Sequence, residues 1–245
     1  MNINEQNYYS AESNWEYWSV SQYKQFSRCE SAAMAQLRGE YEPPVTKSLL
    51  AGSFFDAYFD GSLEQFKEQH GEIFTRKKEL RAEFRKAQQM IDRVKRDPLF
   101  MKFMSGEKQK IMTAEMFGVK WKVKIDSFLP GTCITDLKSA ANFWTIPRFR
   151  YDLQGAVYQE IARLNGFGTL PFYLAVCTKQ PTPDFDIFQI TQQYLDAALR
   201  EVQANMPHLI DVKNGLVEPV GCGVCDYCKA HKTANVRNYE ELLEG

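Results

Sequence analysis

Two aspartates and a lysine in the middle of the chain have the types and spacing to perform chemistry together. The strand-like run "VKWKVKID" ends at Asp126, and the next one, "CITDLKSA", carries Asp136 and Lys138. Side chains alternate between the two faces of a strand, so Asp136 and Lys138 are expected on the same face. If the two strands pair, two carboxylates and an ammonium group meet at one edge of a sheet.

Such a group is suited to metal-assisted chemistry. Clustered carboxylates repel one another unless a cation neutralises them, and Mg²⁺ and Mn²⁺ prefer carboxylate oxygens as ligands. The cation can activate a water and screen a phosphate, while the lysine stabilises charge on the phosphoryl oxygens. The reaction would be phosphodiester hydrolysis. The same three residues also fit an ordinary ion pair on an exposed strand, and taken alone the pattern favours that simpler interpretation.

The composition limits the classes of protein to which the chain can belong. It has 245 residues, 44% of them hydrophobic and 25% charged, as expected of a globular protein with one large core. The net charge of −1 excludes a uniformly basic surface, so binding of nucleic acid would need local positive charge. The start "MNINEQNYYS" lacks the pattern of a signal peptide, and no stretch is apolar enough to span a membrane. We therefore expect a cytoplasmic protein with reduced thiols and no membrane partner.

Hydrophobic periodicity predicts an α/β protein with a central sheet. Helices are predicted over 19–39, 48–61, 75–96, 150–166 and 191–206. A hairpin about Gly118 and strands over 133–138, 171–179 and 185–190 are predicted between them. We expect one domain over 1–245, with a helical part at 19–104, a catalytic sheet with helices at 107–206 and a cysteine-containing tail at 207–245.

The string D-x9-D-L-K followed by "YDLQGAVYQE" resembles the PD-(D/E)XK nuclease superfamily. Within it, the chain resembles the group of RecB-type nuclease domains and phage lambda exonuclease, and most closely the RecE-like phage exonucleases with a C-terminal cysteine cluster. That group carries a Q-x3-Y motif on the helix after the D-x-K strand, and Gln154 and Tyr158 match it. The resemblance implies a restriction-endonuclease-like core, a mixed sheet flanked by helices, in which Asp126, Asp136 and Lys138 are catalytic. Gln154 and Tyr158 would position the DNA backbone or the nucleophile; their ordinary alternative is packing by Tyr158 and surface exposure of Gln154.

The group also places a metal ligand, often His in a G-x3-H pattern, on an early helix. Here Asp56 stands four residues after Gly52, where that His would fall. Aspartate also binds Mg²⁺, so the resemblance implies a metal set of Asp56, Asp126 and Asp136. Glu115, on the first strand of the hairpin, is a rival for the additional acid.

Three cysteines are grouped in the tail string "CGVCDYC", namely Cys222, Cys225 and Cys228. Three thiolates need a fourth ligand to complete a tetrahedral Zn²⁺ site or an iron–sulfur cluster. The candidates for this fourth ligand are Cys29, Cys133, Cys177 and His231.

The segment "SVSQYKQFSRC" bears on this choice. It resembles the entry motif S-x-S-x-L-x-x-F-x-x-C of AddB-type and CRISPR-associated nucleases, with Tyr23 in place of the leucine. Those nucleases hold a 4Fe-4S cluster by one cysteine before the core and three after it, which implies Cys29 as the first ligand and a cluster that joins the N- and C-terminal segments. Their last cysteine gap is usually longer, so Zn²⁺ held by three cysteines and His231 stays open.

Local positive charge is present despite the balanced total. Within 76–96 there are nine basic residues against three acids, most of which fit an ordinary solvated helix face. Lys122, Lys124 and Arg148 flank the expected metal edge and are the predicted contacts to DNA phosphates. Phe143 and Trp144 follow the D-x-K strand, where they could stack on a base, wedge open a duplex end, or simply pack in the core.

The resemblance implies a Mg²⁺-dependent exonuclease that acts at double-stranded DNA ends and exposes single strands for recombination or repair. Its setting would be a bacterial or phage-infected cell, its partner a single-strand annealing protein, and its assembly a ring-shaped homo-oligomer. The alternative is a catalytically inactive DNA-binding or scaffold protein that keeps the fold and the cysteine site.

Overall fold

A mixed β-sheet organises the larger of two units into which the chain folds. The computed structural model describes residues 1–236 and 238–242. The first unit comprises 1–20 and 44–207, and the second comprises 21–43 and 208–245. Each unit is therefore assembled from two separate stretches of chain.

The sheet contains six strands in the part of the chain that the structure describes. They are β1 (Tyr17–Trp18), β2 (Glu107–Met116), β3 (Val119–Leu129), β4 (Cys133–Ala140), β5 (Phe172–Thr178) and β6 (Phe185–Ile190). Their order is β1-β3-β4-β5-β6, and β2 pairs with β3 as the predicted hairpin. The pairs β1–β3 and β4–β5 are parallel, whereas β2–β3, β3–β4 and β5–β6 are antiparallel. The hairpin turns at Phe117 and Gly118, which both have positive φ, as a two-residue type I′ turn requires.

Helices precede, interrupt and follow the strands. They are α1 (Ala11–Glu16), α2 (Val20–Arg28), α3 (Glu30–Leu37), α4 (Lys47–Asp60), α5 (Leu63–Gln69), α6 (Ala82–Val94), α7 (Pro98–Phe103), α8 (Tyr151–Ala162), α9 (Gln192–Lys213) and α10 (Asp226–Ala230). Short 3₁₀ helices cover Gly71–Ile73, Phe143–Phe149 and Tyr239–Leu242, and a π-type turn covers Arg163–Phe167. The predicted α/β class, a mixed sheet flanked by helices, is confirmed. Among the described residues, no helix combines the length and the apolar composition that crossing a bilayer requires.

Aromatic and aliphatic side chains from helices and sheet form the core of the first unit. Phe54 and Phe55 of α4 and Ile91 of α6 are fully buried together with Ala175 of β5. Removing such side chains from water supplies most of the free energy of folding. This packing fixes α4 against the sheet.

Helix α8 lies close to the sheet because of a single glycine. A Cβ atom placed on Gly155 would come 2.5 Å from Phe172 Cδ1 and 2.8 Å from Leu195 Cδ2. Any larger residue would push the helix outward. Gln154, the neighbour of Gly155, therefore lies close to the strands.

Two predicted helices differ from the structure. The helix predicted over 19–39 is interrupted at Cys29, whose extended backbone (φ −165°) separates α2 from α3. The helix predicted over 75–96 is shortened to Ala82–Val94, because Phe74 and Leu80 instead form an antiparallel bridge. In the last long helix the opposite occurs: α9 continues through Pro207 to Lys213.

The second unit contains most of α2, with α3, the end of α9 and α10. Glu30 joins its two stretches of chain: its carboxylate accepts a hydrogen bond from Val220 N (2.9 Å) and contacts His208 Nε2 (2.7 Å). Ser31 adds two bonds, from its Oγ to Pro219 O (2.8 Å) and from its N to Val220 O (3.2 Å). These bonds hold the chain before Cys222 against the N-terminus of α3.

Candidate active site

The point where β3 and β4 stop pairing, here called the fork, brings the two aspartates together. The backbone ladder ends at the pair Ser127–Thr135. The next residue on each strand is an aspartate, Asp126 on β3 and Asp136 on β4, and opposite residues of an antiparallel pair face the same side. In place of the next ladder bond, Leu137 N donates to Asp126 Oδ2 at 2.9 Å. The carboxylate of Asp126 thus fills the fork and is held by the backbone of the strand that carries Asp136.

The two oxygens of Asp136 have different partners. Gln154 Nε2 donates to Oδ1 at 2.7 Å. Oδ2 forms an ion pair with Lys138 Nζ. Oδ2 is buried, so the ion pair with Lys138 is the contact that stabilises its charge.

Gln154 and Tyr158 lie one turn apart on α8 and connect that helix to both strands of the fork. The Gln154 amide donates to Tyr158 Oη (3.0 Å) as well as to Asp136. The Tyr158 hydroxyl donates to Lys124 O on β3 (3.1 Å). Tyr158 is buried and Gln154 half-buried. Neither residue is simply packed in the core or exposed, because each uses its polar atoms at the fork.

Asp56 approaches the same site from helix α4. One turn earlier in α4, a Cβ atom on Gly52 would lie 3.3 Å from Ser139 Oγ, so the helix passes close to β4. The Asp56 side chain is open to solvent, yet the surrounding protein raises its pKa, and repulsion from Asp126 raises it further. Lys138 acts in the opposite direction. The pKa of Asp56 therefore responds to Asp126, Asp136 and Lys138, the charged residues at the fork.

The charge of this site is unbalanced, because three carboxylates face one ammonium group. Burial raises the pKa of Asp136 in spite of Lys138. For Lys138, burial alone would lower the pKa, but Asp136 and Asp126 outweigh it and raise the pKa. The carboxylate oxygens are not all within 4.8 Å of one another in the described residues. Such a spread oxygen-donor set with excess negative charge fits a hydrated divalent cation.

Three further residues lie near the fork that the sequence analysis did not single out. The Tyr151 ring lies 5.3 Å from Lys138 Nζ, and the Tyr9 ring lies 5.4 Å from Lys124 Nζ. Gln109 Nε2 is 3.4 Å from Asp126 Oδ1, and its backbone has φ +50°, a strained value for a residue within a strand. Only Tyr151 could have been suspected, since it begins the helix that carries Gln154.

The rival acid Glu115 lies elsewhere. It is exposed on β2 and pairs with Lys120 at the turn end of the hairpin, whereas Asp126 is near the other end of β3. Its position is that of an ordinary surface side chain.

Of the predicted DNA contacts, Lys122 is corrected by the structure. Its side chain is buried, and Nζ donates to Tyr8 O (2.5 Å), Ser13 Oγ (2.7 Å) and Asn14 Oδ1 (2.7 Å). Burial lowers the pKa of Lys122 to about 8. The ammonium group therefore holds the N-terminal segment and does not face DNA.

The other two basic residues are accessible. Lys124 is half-buried beside Tyr9, and Arg148 is exposed on the 3₁₀ helix Phe143–Phe149. Both keep a charged group at the surface of the unit that contains the fork.

In the second unit, four cysteines converge. The sulfur atoms of Cys29, Cys222, Cys225 and Cys228 all lie within 4.8 Å of one another. Cys29 Sγ is 3.5 Å from Cys228 Sγ and 3.8 Å from Cys225 Sγ. Cys29, whose extended backbone separates α2 from α3, is therefore also the residue whose sulfur contacts the cysteines of the tail.

Backbone N–H groups surround these sulfurs. Cys222 N lies 3.3 Å from Cys29 Sγ, Cys225 N 3.3 Å from Cys222 Sγ, and Cys228 N 3.5 Å from Cys225 Sγ. The backbone N–H groups of Val224 and Cys225 lower the pKa of the Cys222 thiol to about 6. A Cβ atom on Gly221 would approach Cys228 Sγ to 3.1 Å. Hydrogen-bond donors stabilise the thiolate form of cysteine, and the thiolate is the form that binds metals. Four converging sulfurs with such donors therefore fit a bound metal.

The other candidates for the fourth ligand are placed differently. Cys133 and Cys177 are buried in the sheet of the first unit. His231 Nδ1 lies 2.8 Å from Tyr227 O and is not part of the sulfur group.

Comparison with known proteins agrees with this geometry. Residues 19–231 match the family described as "PDDEXK-like domain of unknown function (DUF3799)". A crystal structure of a protein from Eubacterium rectale, described as a "putative exonuclease", is 45% identical, with a TM-score of 0.94 over 99% of this chain and 98% of that one. A second structure, of SSO0001, aligns over 76% of this chain and 84% of that one at 10% identity, with a TM-score of 0.32. No curated protein matches the chain.

The predicted resemblance is thereby confirmed, since the family match covers most of the chain and includes the fork, helix α8 and the cysteines. The chain belongs to the family of PDDEXK-like domains.

Proposed function

We propose that this protein is a divalent-metal-dependent deoxyribonuclease, an exonuclease that hydrolyses phosphodiester bonds at double-stranded DNA ends. The observation that carries the proposal is the convergence of Asp126, Asp136 and Lys138 at the fork. Keeping a buried ion pair with a second carboxylate beside it costs free energy, and an inactive scaffold would have no need of it. The description of the Eubacterium rectale protein, at 45% identity over nearly the whole chain, supports the choice of an exonuclease.

Asp126, Asp136 and Asp56 would hold Mg²⁺ or Mn²⁺. Asp136 Oδ1 accepts from Gln154, and a cation bound to Oδ2 would share that oxygen with the Lys138 ammonium group. Asp126 has its Oδ2 fixed by Leu137 N and its Oδ1 only distantly approached by Gln109. When bound, the cation supplies a lowered pKa for its water ligand and neutralises charge on the scissile phosphate.

The residues of the chain itself position and stabilise the reacting groups. Lys138 keeps its proton, because two carboxylates raise its pKa, so it can donate hydrogen bonds to the attacking water and the phosphoryl oxygens. Gln154 and Tyr158 keep Asp136 in one orientation by joining α8 to both strands. Preorganised donors of this kind lower the barrier because they need no rearrangement in the transition state.

Lys124 and Arg148 would contact phosphates beside the fork. Such contacts do not depend on base sequence and weaken as the salt concentration rises. A single-strand annealing partner and a ring-shaped homo-oligomer in the cytoplasm remain predictions of the resemblance.

The test is digestion of linear duplex DNA carrying a label at the 5′ or the 3′ end, with and without Mg²⁺. We expect Mg²⁺-dependent loss of nucleotides from one end by the wild-type protein and none by Asp136→Ala. Asp92→Ala is a matched control, since the Asp92 carboxylate is partly exposed and paired with Lys95. Equal digestion by Asp136→Ala and wild type would refute the placement of the site. Absence of digestion, with DNA binding intact, would favour the scaffold alternative.

The four cysteines, in our proposal, hold one tetrahedral Zn²⁺ rather than a 4Fe-4S cluster. Four sulfurs at about 2.3 Å from one Zn²⁺ lie about 3.8 Å apart. Cys29 Sγ lies 3.5 Å from Cys228 Sγ and 3.8 Å from Cys225 Sγ, close to that separation, and all four sulfurs lie within 4.8 Å of one another. In a cubane cluster each thiolate binds a different iron, so the sulfurs are separated by the body of the cluster. The site would be structural, because four protein ligands leave no open position for a substrate.

A further inference from the structure

A cavity lined by aromatic and apolar side chains lies beside the candidate active site. Its volume is about 600 Å³. Its walls come from the 3₁₀ helix Phe143–Phe149, the start of α8, β5, β6 and the start of α9. We call it the aromatic pocket, and the side chains on which the argument depends are Phe143, Trp144, Tyr151, Leu174, Phe188 and Tyr194.

The floor of the aromatic pocket is in register with Asp136. Asp136 on β4 pairs with Leu174 on β5, and Leu174 pairs with Phe188 on β6. Paired residues on neighbouring strands share a face of the sheet. Since neighbouring strands are about 4.8 Å apart, Leu174 and Phe188 are roughly 5 and 10 Å from Asp136. A nucleotide whose phosphate lies at Asp136 could therefore place its base in the pocket.

Tyr151 connects the pocket to the catalytic lysine. It lines the pocket, and its ring lies 5.3 Å from Lys138 Nζ. The pocket and the fork are thus parts of one continuous surface.

The charge of the pocket excludes a phosphate as its occupant. The cation among its lining residues is Arg150, which pairs with Asp152 (2.9 Å) and Glu201 (2.7 Å). Its charge is already neutralised by two carboxylates. An apolar cavity without a free charge accepts flat, uncharged rings and disfavours anions.

The exposed aromatic residues at the rim favour nucleobases as those rings. Trp144 is 88% exposed and Tyr194 66% exposed, an unusual arrangement for large aromatic side chains beside a cavity. Aromatic side chains bind unpaired bases by stacking, with little dependence on the base sequence. Paired bases inside a duplex are covered by their neighbours and could not enter.

We propose that the aromatic pocket receives the unpaired nucleobases next to the phosphate held at Asp136, so that the end of one strand is separated from its complement before cleavage. This inference rests on the proposed function. It assigns the substrate-binding role to residues outside the metal site.

The experiment measures binding in the absence of Mg²⁺, so that no cleavage occurs. The probes are a duplex with a short unpaired end that carries 2-aminopurine, and a covalently closed circular duplex that contains the same sequence and has no ends. The proteins are the wild type, Trp144→Ala and Tyr194→Ala, with Trp15→Ala as a control for loss of an exposed tryptophan outside the pocket. Thermal unfolding verifies that each variant is folded.

We expect the wild type to change the 2-aminopurine fluorescence on binding. Trp144→Ala and Tyr194→Ala should each bind the open end about ten-fold more weakly, as expected for the loss of one stacking contact. Their binding to the closed duplex should be unchanged, and Trp15→Ala should behave as the wild type.

Several results would overturn the inference. One is wild-type affinity of both pocket variants for the open end. Another is a change of oligomeric state in those variants with unchanged DNA affinity, which would identify a second copy of the chain as the occupant. If the wild type shows the stacking signal but never digests DNA with Mg²⁺, the pocket stands and the nuclease proposal falls. If the wild type digests DNA while both pocket variants keep full affinity for the open end, the nuclease proposal stands and the pocket proposal falls.

Discussion

The amide of Gln154 lies 2.7 Å from Asp136 Oδ1, and this bond ties helix α8 to the strand that carries Lys138. The same amide reaches Tyr158, whose hydroxyl donates to the backbone of β3. Gln154 and Tyr158 together therefore connect the helix to both strands of the fork. Asp136 thus has Gln154 at Oδ1 and Lys138 at Oδ2.

Replacement of Gln154 by Ala should lower digestion about 10- to 100-fold, the usual effect of losing a partner that orients a metal ligand. Folding should be nearly unaffected, because Gln154 is only half-buried. The measurement is the initial rate of digestion as a function of Mg²⁺ concentration. We expect a higher Mg²⁺ requirement; a rate and a requirement equal to those of the wild type would remove Gln154 from the site.

Tyr158→Phe removes only the hydroxyl that joins α8 to Lys124 O. We expect a loss of about 1 kcal/mol in the free energy of unfolding, the typical value of one hydrogen bond, together with reduced activity. Tyr173→Phe is the control, since Tyr173 lies on β5, away from the fork's hydrogen bonds, and its ring packs against Phe103 of α7. Urea unfolding and the digestion assay should separate the two variants. Identical behaviour would show that the Tyr158 hydroxyl is dispensable.

Lys122 and Lys124 are close in sequence but should respond differently to replacement by Met. Lys122→Met leaves buried acceptors of the N-terminal segment without their donor, so the free energy of unfolding should fall by about 2–4 kcal/mol. Lys124→Met should change stability little and weaken DNA binding, with a shallower dependence of affinity on salt. If Lys122→Met were as stable as the wild type, the buried ammonium would not be what holds residues 8–14.

Gly155→Ala tests the close approach of α8 to the sheet. The added methyl group would overlap Phe172 and Leu195, and such overpacking costs about 1–3 kcal/mol. Gly71→Ala is the control, because no atom lies within 4 Å of its added Cβ. Urea midpoints give both values. Activity should fall with Gly155→Ala, because the displaced helix also moves Gln154.

The cysteine proposal predicts one equivalent of zinc per chain in the purified, colourless protein. Replacing zinc by Co²⁺ should give the visible bands of a tetrahedral tetrathiolate site. Cys228→Ser should lose metal and unfold at a lower temperature, while Cys177→Ala should keep its full metal content because Cys177 lies in the first unit. Brown protein containing iron and labile sulfide would instead establish the cluster.

The sequence determined those parts of the site that local periodicity fixes. Asp136 and Lys138 share a face because a strand repeats every two residues, and Gln154 and Tyr158 share a face because a helix repeats every 3.6. The cysteine string supplied three candidate ligands, and the resemblance of the segment before Cys29 to the entry motif of iron–sulfur nucleases indicated Cys29 as the fourth, with His231 as the alternative. These relationships depend on the backbone period or on a strong chemical signature, so a single sequence contains them.

Only the tertiary structure decided the rest, because those features depend on residues distant in the chain. Lys122 lies on the polar face of its strand, yet the segment around Tyr8 covers it, which no periodicity in β3 could indicate. Cys29 interrupts a regular helical pattern because its thiol meets the tail. Tyr9 reaches Lys124 because the N-terminal segment lies beside β3. Phe188 falls into register with Asp136 through the pairing of β4 with β5 and of β5 with β6. At each of these positions long-range packing outweighed local preference. The free energy of burial and hydrogen bonding there is larger than the small free energies of helix and strand propensity.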